Sequence, residues 1–346
     1  MSARISSRAV VAVLAGAALL LAACGDDALD SDVADADDTR PTVVVTTSIL
    51  GDVISNLVGE EFDVVTLMPA GADPHDFQPS AQQVAQVGEA NVLIVNGAGF
   101  EEGLLDVIDS AAADGVLVYE AISAVETIEY GEHGEHDEHD EHDEHDEHDE
   151  HDEHDEHEEG HDHEGIDPHF FTDPARMKDA ATGIVEFLVA NLDTLGIEEL
   201  DGADLEATAA AYLSELDALD AEVEEALAAI PQDMRVMVTN HEVFGYFAAR
   251  YDFEVVGTII PGTTLDGVSA QDLVELVDVI EHEGVPAVFA DTSASDELAL
   301  TLAEEVGDID VVELYSESLG ASDSDGATYL AMVRANTQRI VGALVG

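Results

Sequence analysis

The sequence predicts an α/β protein of two similar lobes, each a parallel sheet flanked by helices, joined by one long helix. Two observations support this fold class: short apolar runs alternate with amphipathic segments in both halves, and one uninterrupted helical pattern lies between the halves. Apolar strands that alternate with helices indicate a parallel sheet that is covered on both faces. The chain of 346 residues is long enough for two domains of ordinary size.

The first half contains four predicted strands and four predicted helices. The strands are residues 42–47, 63–68, 91–95 and 116–119, and the helices are residues 49–58, 81–88, 101–112 and 174–192. Pro69 follows the second strand and stops it, because proline has no amide hydrogen for a strand ladder. Pro174 stands in the first turn of its helix, where proline is tolerated.

The long helix is predicted over residues 204–230. Its apolar residues recur at helical spacing: Leu205, Tyr212, Leu213, Leu216, Leu219, Val223 and Leu227. At about 1.5 Å per residue this helix is roughly 40 Å long, which is the span of a domain. Pro231 ends it.

The second half repeats the scheme of the first. The predicted strands are residues 236–239, 254–260, 287–290 and 311–315, and the predicted helices are residues 244–251, 269–283, 295–305 and 328–344. We therefore expect an N-terminal lobe over residues 41–203, a linker helix over residues 204–230 and a C-terminal lobe over residues 231–346.

The N-terminus is typical of an exported lipoprotein. Arg4 and Arg8 precede an apolar run over residues 10–21, which has the length of a signal peptide and is short for a membrane span. Leu21-Ala-Ala-Cys24 resembles the bacterial lipobox, which predicts a signal peptide over residues 1–23, a lipid on Cys24 and extracytoplasmic attachment to the cell membrane. Residues 24–40 are small and acidic and should form a flexible tether. The alternative is an ordinary cleaved signal with an unrelated cysteine.

The net charge of −70 arises from 79 acidic and 9 basic residues. Nucleic acid is excluded as a partner, because its phosphate backbone would be repelled. An acid-rich surface on which Lys178 is the only lysine favours adaptation to salt, which screens the self-repulsion. Attraction of cations is the other interpretation.

Residues 132–164 are of low complexity, with 20 acidic and no basic residues, and should form a disordered loop. The segment contains eleven of the fifteen histidines: His133, His136, His139, His142, His145, His148, His151, His154, His157, His161 and His163. Imidazole suits Zn, Cu, Ni or Fe(II), so we interpret the segment as an auxiliary collector of weakly bound metal ions. The alternative is a plain acidic spacer.

Three of the other four histidines occupy equivalent positions. His75, His169 and His241 each lie in a predicted turn that precedes a helix, and the turns of His75 and His241 also follow strands. Ligands bind at the carboxyl ends of the strands in open α/β sheets, and three imidazoles with a carboxylate or water complete a zinc tetrahedron. His282, between Glu281 and Glu283 in a predicted helix, is expected to be a solvated surface residue.

At these residues the sequence resembles the metal-binding lipoproteins of bacterial ABC importers, the zinc and manganese group of solute-binding proteins. The resemblance extends from about Pro41 to the C-terminus. Its motifs are Asp73-Pro-His-Asp-Phe-Gln-Pro79, Asn96-Gly-Ala-Gly-Phe-Glu101, Asp167-Pro-His169 with Asp173-Pro174, the region from His241 to Tyr251 and the turn from Tyr315 to Gly320. A histidine-rich acidic loop is typical of the zinc-binding members.

The resemblance implies a metal site in the cleft between the lobes, with His75, His169, His241 and Glu317 as ligands. Zinc-type members have histidine at the position of His241, where manganese-type members usually have glutamate. The fourth position is commonly aspartate, and here it is Glu317, which is one methylene longer. Either Glu317 or water therefore completes the predicted site.

The implied function is capture of Zn2+ as cargo and its delivery to an ABC permease and its ATPase, by a protein that we expect to be monomeric. The alternatives are a manganese or iron importer component, and a surface adhesin or metal-storage lipoprotein. Three histidine ligands with an open coordination position are also typical of catalytic zinc sites. The sequence has no His-Glu-x-x-His motif, however, so we do not expect an enzyme.

Overall fold

The computed structural model describes residues 40–130, 165–197, 200–260, 268–307 and 309–345. The predicted signal peptide, Cys24 and the histidine-rich segment lie outside these residues. No helix in the described ranges is both long enough and apolar enough to cross a membrane.

The N-terminal lobe is built on a parallel sheet with the strand order β2-β1-β3-β4. Its elements are β1 (Thr42–Val45), α1 (Ser48–Val58), β2 (Asp63–Thr66), α2 (Ala81–Gly88), β3 (Val92–Val95), α3 (Leu105–Ala113), β4 (Leu117–Glu120) and α4 (Pro174–Ala190). The segment before α3 is a 3₁₀ turn, Glu102–Leu104, which sequence analysis had merged with the helix. The remaining predicted elements of this half are present, and none of their ends is shifted by more than two residues.

The C-terminal lobe has the equivalent strand order, β6-β5-β7-β8, again with parallel pairing. Its elements are β5 (Val236–His241), α6 (Gly245–Tyr251), β6 (Glu254–Ile260), α7 (Ala270–Glu283), β7 (Ala287–Asp291), α8 (Glu297–Val306), β8 (Asp310–Leu314) and α9 (Tyr329–Val345). The same order in both sheets confirms the prediction of two similar α/β lobes.

Both faces of each sheet are buried, as the apolar runs predicted. In the N-terminal sheet, Val43 and Val45 pack on one side, while Val44 packs on the other side in a separate cluster that includes residues of α2 and α3. In the C-terminal sheet, Val238 and Val288 belong to the cluster beneath α7 and α8. Alternate side chains of a strand point to opposite faces, so such strands need a cover on each side.

The long helix α5 spans Gly202–Leu227. It begins before the predicted position because the side chain of Asp201 accepts a hydrogen bond from the Ala203 amide at 3.0 Å and caps the helix. It ends three residues early because the amides of Ala229 and Ile230 bond to the carbonyls three residues before them, which tightens the chain ahead of Pro231.

The buried side of α5 joins the two lobes. Its buried residues, Leu205, Ala209, Tyr212, Leu216, Leu219, Val223 and Leu227, belong to one apolar cluster that includes β1 of the first lobe and α9 of the second. Each fully buried leucine stabilises this packing by about 1.5–3 kcal/mol. A continuous core along α5 therefore opposes large separation of the lobes.

Candidate metal centre

Four side chains from separate parts of the chain meet between the lobes. His75, His169, His241 and Glu317 each place a ligand atom within 4.8 Å of the others, and all four are buried. His75 and His169 come from the N-terminal lobe, and His241 and Glu317 come from the C-terminal lobe. These are the residues that sequence analysis selected as ligands.

One carboxylate oxygen lies at the centre of the group. Glu317 Oε1 is 2.8 Å from His75 Nε2, 3.3 Å from His169 Nε2 and 3.0 Å from His241 Nε2. A tetrahedral zinc ion with bonds of about 2.0–2.1 Å separates its ligand atoms by roughly 3.3 Å. The distances from Glu317 Oε1 to the three imidazole nitrogens are thus close to the spacing of ligand atoms around such an ion.

The two Asp-Pro-His sequences form the same local turn. The amide of His75 donates to Asp73 Oδ1 at 2.9 Å, and the amide of His169 donates to Asp167 Oδ1 at 2.9 Å. An aspartate that accepts from the amide two residues later closes an Asx turn, and proline between them restricts the backbone. The short motif therefore sets the direction of each histidine before the lobes come together.

Asp167 also orients the ring of His169. Its Oδ1 is 2.7 Å from His169 Nδ1, which leaves Nε2 to face Glu317. A carboxylate on the outer nitrogen fixes the ring and makes the inner nitrogen a better ligand. Sequence analysis missed this role, although the spacing of Asp167 and His169 carried the signal.

The motif from Asn96 to Glu101 supports the loop of His169. The buried carboxylate of Glu101 accepts from Thr46 Oγ1 at 2.6 Å and from the Asn96 amide at 2.6 Å. Asn96 Nδ2 in turn donates to the carbonyl of Pro168 at 2.9 Å. Burial raises the pKa of Glu101, and these hydrogen bonds oppose that effect. Glu101 thus acts at a distance from the metal centre, through the backbone next to His169.

Protons and metal ions compete for the imidazole nitrogens. Burial lowers the pKa of His169, but the charge and hydrogen bond of Asp167, aided by Glu317, raise it overall to about 9. Burial lowers the pKa of His241 too, but the charge and hydrogen bond of Glu317 and the charge of Asp291 together raise it overall. Burial raises the pKa of Glu317, but the surrounding histidines, His241 first, hold it well below its usual range. The Glu317 carboxylate is therefore ionised at neutral pH.

The C-terminal side of the centre holds a second buried acid, which the sequence analysis did not select. Asp291 ends β7, and its Oδ1 accepts from the amide of Ser293 at 2.7 Å. Among the described residues, His241 Nδ1 has no hydrogen-bond partner. Burial and the charge of Glu317 raise the pKa of Asp291, and the charge of His241 opposes them. The position at the end of a buried strand was the available signal.

The described residues on either side of the histidine-rich segment lie close to this centre, whereas the segment itself lies outside the described residues. Its flanks pair: the amide of Tyr130 donates to the Gly165 carbonyl at 2.9 Å, and the amide of Asp167 donates to the Ile128 carbonyl at 2.9 Å. The ring centroid of Tyr130 lies 6.3 Å from that of His169. His282, in contrast, is 86% exposed on α7, as expected of a surface residue.

Comparison with known proteins agrees with this architecture. The family model described as "Zinc-uptake complex component A periplasmic" matches residues 43–343. The manganese-binding lipoprotein MntA of Halalkalibacterium halodurans is 27% identical over 331 residues, which cover 94% of this chain and 95% of the relative. The zinc-binding protein TroA of Treponema pallidum is 28% identical over 315 residues, which cover 89% of this chain and 90% of TroA.

The solved structure of the periplasmic zinc-binding protein TroA from Treponema pallidum has the same fold. It superposes with a TM-score of 0.72 at 25% identity, covering 88% of this chain and 99% of TroA. The relatives are solute-binding proteins of ABC transporters, which work with a permease and an ATPase, and not enzymes. On the match over residues 43–343, the chain belongs to the zinc-uptake component A family, the metal-binding solute-binding proteins of ABC metal importers.

Proposed function

We propose that this protein is the extracytoplasmic zinc-binding component of an ABC importer, which captures Zn2+ and delivers it to the permease for uptake. The observation that carries the proposal is the convergence of three imidazole Nε2 atoms on one buried carboxylate oxygen, at 2.8–3.3 Å. In this proposal His75, His169, His241 and Glu317 are the four ligands of the cargo ion.

The ligand set favours zinc over manganese. Three nitrogen ligands suit zinc, whereas manganese prefers harder oxygen ligands. The relatives do not agree on the metal, since TroA is named as zinc-binding and MntA as manganese-binding. The choice of zinc therefore rests on the histidine at position 241 and on the small, closed arrangement of the four ligand atoms.

The remaining parts of the proposal concern delivery. The histidine-rich segment would collect metal ions next to the centre, because its flanks are paired within reach of His169. A lipid on Cys24 would hold the protein at the membrane beside the permease, and several relatives are named as lipoproteins. We further propose that the protein acts as a monomer.

Elemental analysis of the purified full chain, followed by competition titration among Zn, Mn and Fe(II), tests the proposal. We expect one tightly bound zinc per chain and a clear preference for zinc. His75→Ala should abolish tight binding, while the matched change His282→Ala, at an exposed histidine, should leave it intact. Preferential binding of manganese, or tight binding that survives His75→Ala, would contradict the assignment.

Growth of the source organism separates transport from storage or adhesion. Deletion of the gene should stop growth in medium depleted of zinc by a chelator, and added zinc should restore it. Normal growth of the deletion strain in that medium would favour a storage or adhesin role.

A further inference from the structure

The turn that carries Glu317 is hydrogen-bonded to the opposite lobe. Ser318 and Leu319 follow Glu317 directly, and the amide of Gly71 is shared between Ser318 Oγ at 2.8 Å and the Leu319 carbonyl at 3.0 Å. Ser48 Oγ lies 3.0 Å from Ser318 Oγ and accepts from the Leu319 amide at 3.0 Å. These contacts involve none of the three histidines.

Both partners of the turn are fixed parts of the N-terminal lobe. Ser48 is the first residue of α1, just after the carboxyl end of β1, and Gly71 lies in the loop that leads from β2 to His75. Ser48 is 9% exposed and Ser318 is 3% exposed. Hydrogen bonds in such buried surroundings are stronger than in water, and an unmatched partner left behind is costly.

The other end of the same turn is held by its own lobe. The amide of Tyr315 donates to Asn336 Oδ1 of α9 at 2.9 Å, and Asn336 Nδ2 donates to the Tyr315 carbonyl. Glu317 therefore lies where the chain passes from contacts with α9 to contacts with the N-terminal lobe.

We infer that Ser48 and Ser318 are positioning residues that fasten the Glu317 turn to the N-terminal lobe, and that this latch sets the rate of metal release. The inference rests on the proposed metal-binding function. When the latch opens, the turn moves with α9, and Glu317 withdraws from the ion. Capture depends less on the latch, because differences in affinity between related binding sites are found mainly in the dissociation rate.

The chain offers a matched control on the other side of Glu317. Ser316 is a serine in the same turn and is as buried as Ser318. Among the described residues, its hydroxyl makes no hydrogen bond to the N-terminal lobe. Ser316→Ala and Ser318→Ala each remove one hydroxyl from the same turn. Only Ser318→Ala removes hydrogen bonds to the N-terminal lobe.

The test compares zinc release from the full-length protein and its variants Ser48→Ala, Ser318→Ala and Ser316→Ala, by stopped-flow mixing of zinc-loaded protein with excess chelator. Loss of a partner that orients a ligand costs roughly 10–100-fold in metal affinity. We expect the dissociation rate to rise by about that factor in Ser48→Ala and Ser318→Ala, and by less than about threefold in Ser316→Ala. The rise in dissociation rate of the double variant should be smaller than the product of the two single rises, because the two hydroxyls contact each other.

Two further measurements distinguish positioning from a general loss of stability. The increase in Tm on adding zinc should shrink in Ser318→Ala, whereas a merely structural role would lower the Tm of metal-free and zinc-loaded protein alike. Ser318→Thr, which keeps a hydroxyl, should release zinc at nearly the wild-type rate. If Ser318→Ala does not fold, Ser48→Ala carries the same test.

The possible results separate the two proposals. Wild-type protein without a tight metal site would overturn the proposed function itself. Wild-type protein with a tight site, combined with an unchanged dissociation rate in Ser48→Ala and Ser318→Ala, would overturn the latch alone. An equal acceleration in Ser316→Ala would do the same.

Discussion

The change Glu317→Gln separates the charge of this ligand from its shape. Glutamine has nearly the same size and keeps a carbonyl oxygen where Oε1 lies, 2.8–3.3 Å from the three imidazoles. It removes the only negative charge among the four predicted ligands. The pKa of Glu317 is held well below its usual range, so the wild-type side chain is ionised at neutral pH and the substitution removes a full charge.

The expected cost follows from the burial of Glu317, whose side chain is 0% exposed. Removing one partner of a buried, hydrogen-bonded charge pair costs about 3–5 kcal/mol, because the other charge stays buried without compensation. For a bound divalent ion, this corresponds to a Kd that is higher by roughly 150-fold to 4,500-fold. If water were the fourth ligand in place of Glu317, Glu317→Gln would weaken metal binding much less.

Competition of the full-length protein with a chromophoric chelator measures this change. Glu317→Asp is the matched control, since it keeps the charge and shortens the side chain by one methylene. We expect Glu317→Asp to bind zinc more tightly than Glu317→Gln. A Glu317→Gln variant within about threefold of wild type would refute the reasoning, because loss of a charged ligand predicts a far larger effect.

Three further predictions concern other parts of the protein. His241→Glu replaces a nitrogen ligand by an oxygen ligand, so the ratio of manganese to zinc affinity should rise in competition titrations; an unchanged ratio would count against His241 as a ligand. Burial raises the pKa of Asp173 to about 6, although the hydrogen bond from the Ala175 amide and the charge of Arg250 oppose this rise. The folded protein therefore keeps a proton on Asp173 at pH values where the unfolded chain has lost it. The stability that comes from this protonated carboxyl is fully present below pH 3.8 and is lost as the pH rises through about 6. Asp173→Asn should therefore increase the free energy of unfolding at pH 7.5 by up to about 3 kcal/mol and have little effect at pH 3.5, whereas Asp201→Asn, at the exposed cap of α5, should matter little at either pH. Deleting residues 132–164 should remove several weak zinc sites and leave one tight site in calorimetric titrations; loss of the tight site would place it in the deleted segment.

Much of the secondary structure was predictable because its causes are local. The helix α2 and the strand β6 occur over the predicted residues, since Ser80 and Gln83 form a capping box at the start of α2 and apolar residues recur along β6. Where ends differ, the cause lies beyond the local pattern. The strand β5 continues to His241, two residues past its prediction, because His241 still pairs with Ile260 of β6.

The sequence predicted which four side chains meet between the lobes, but it did not predict their contacts. The turns around His75 and His169 are encoded within three residues each, so the sequence singled out these histidines from the eleven in the repetitive segment. The partners of Glu317 and Ser318 are different, because Glu317 contacts a residue 242 positions away and Ser318 contacts one 270 positions away. Such contacts depend on how two sheets pack against one helix, and no local pattern contains that information.

Local sequence was thus sufficient for the order of strands and helices, for the Asp-Pro-His turns and for the choice of His75, His169 and His241. The packing of the lobes along α5 brought those turns to within a few ångströms of one another and bound the Glu317 turn to Ser48. Turns form from interactions between near neighbours in the chain, whereas a buried centre between lobes forms only when distant surfaces exclude water together.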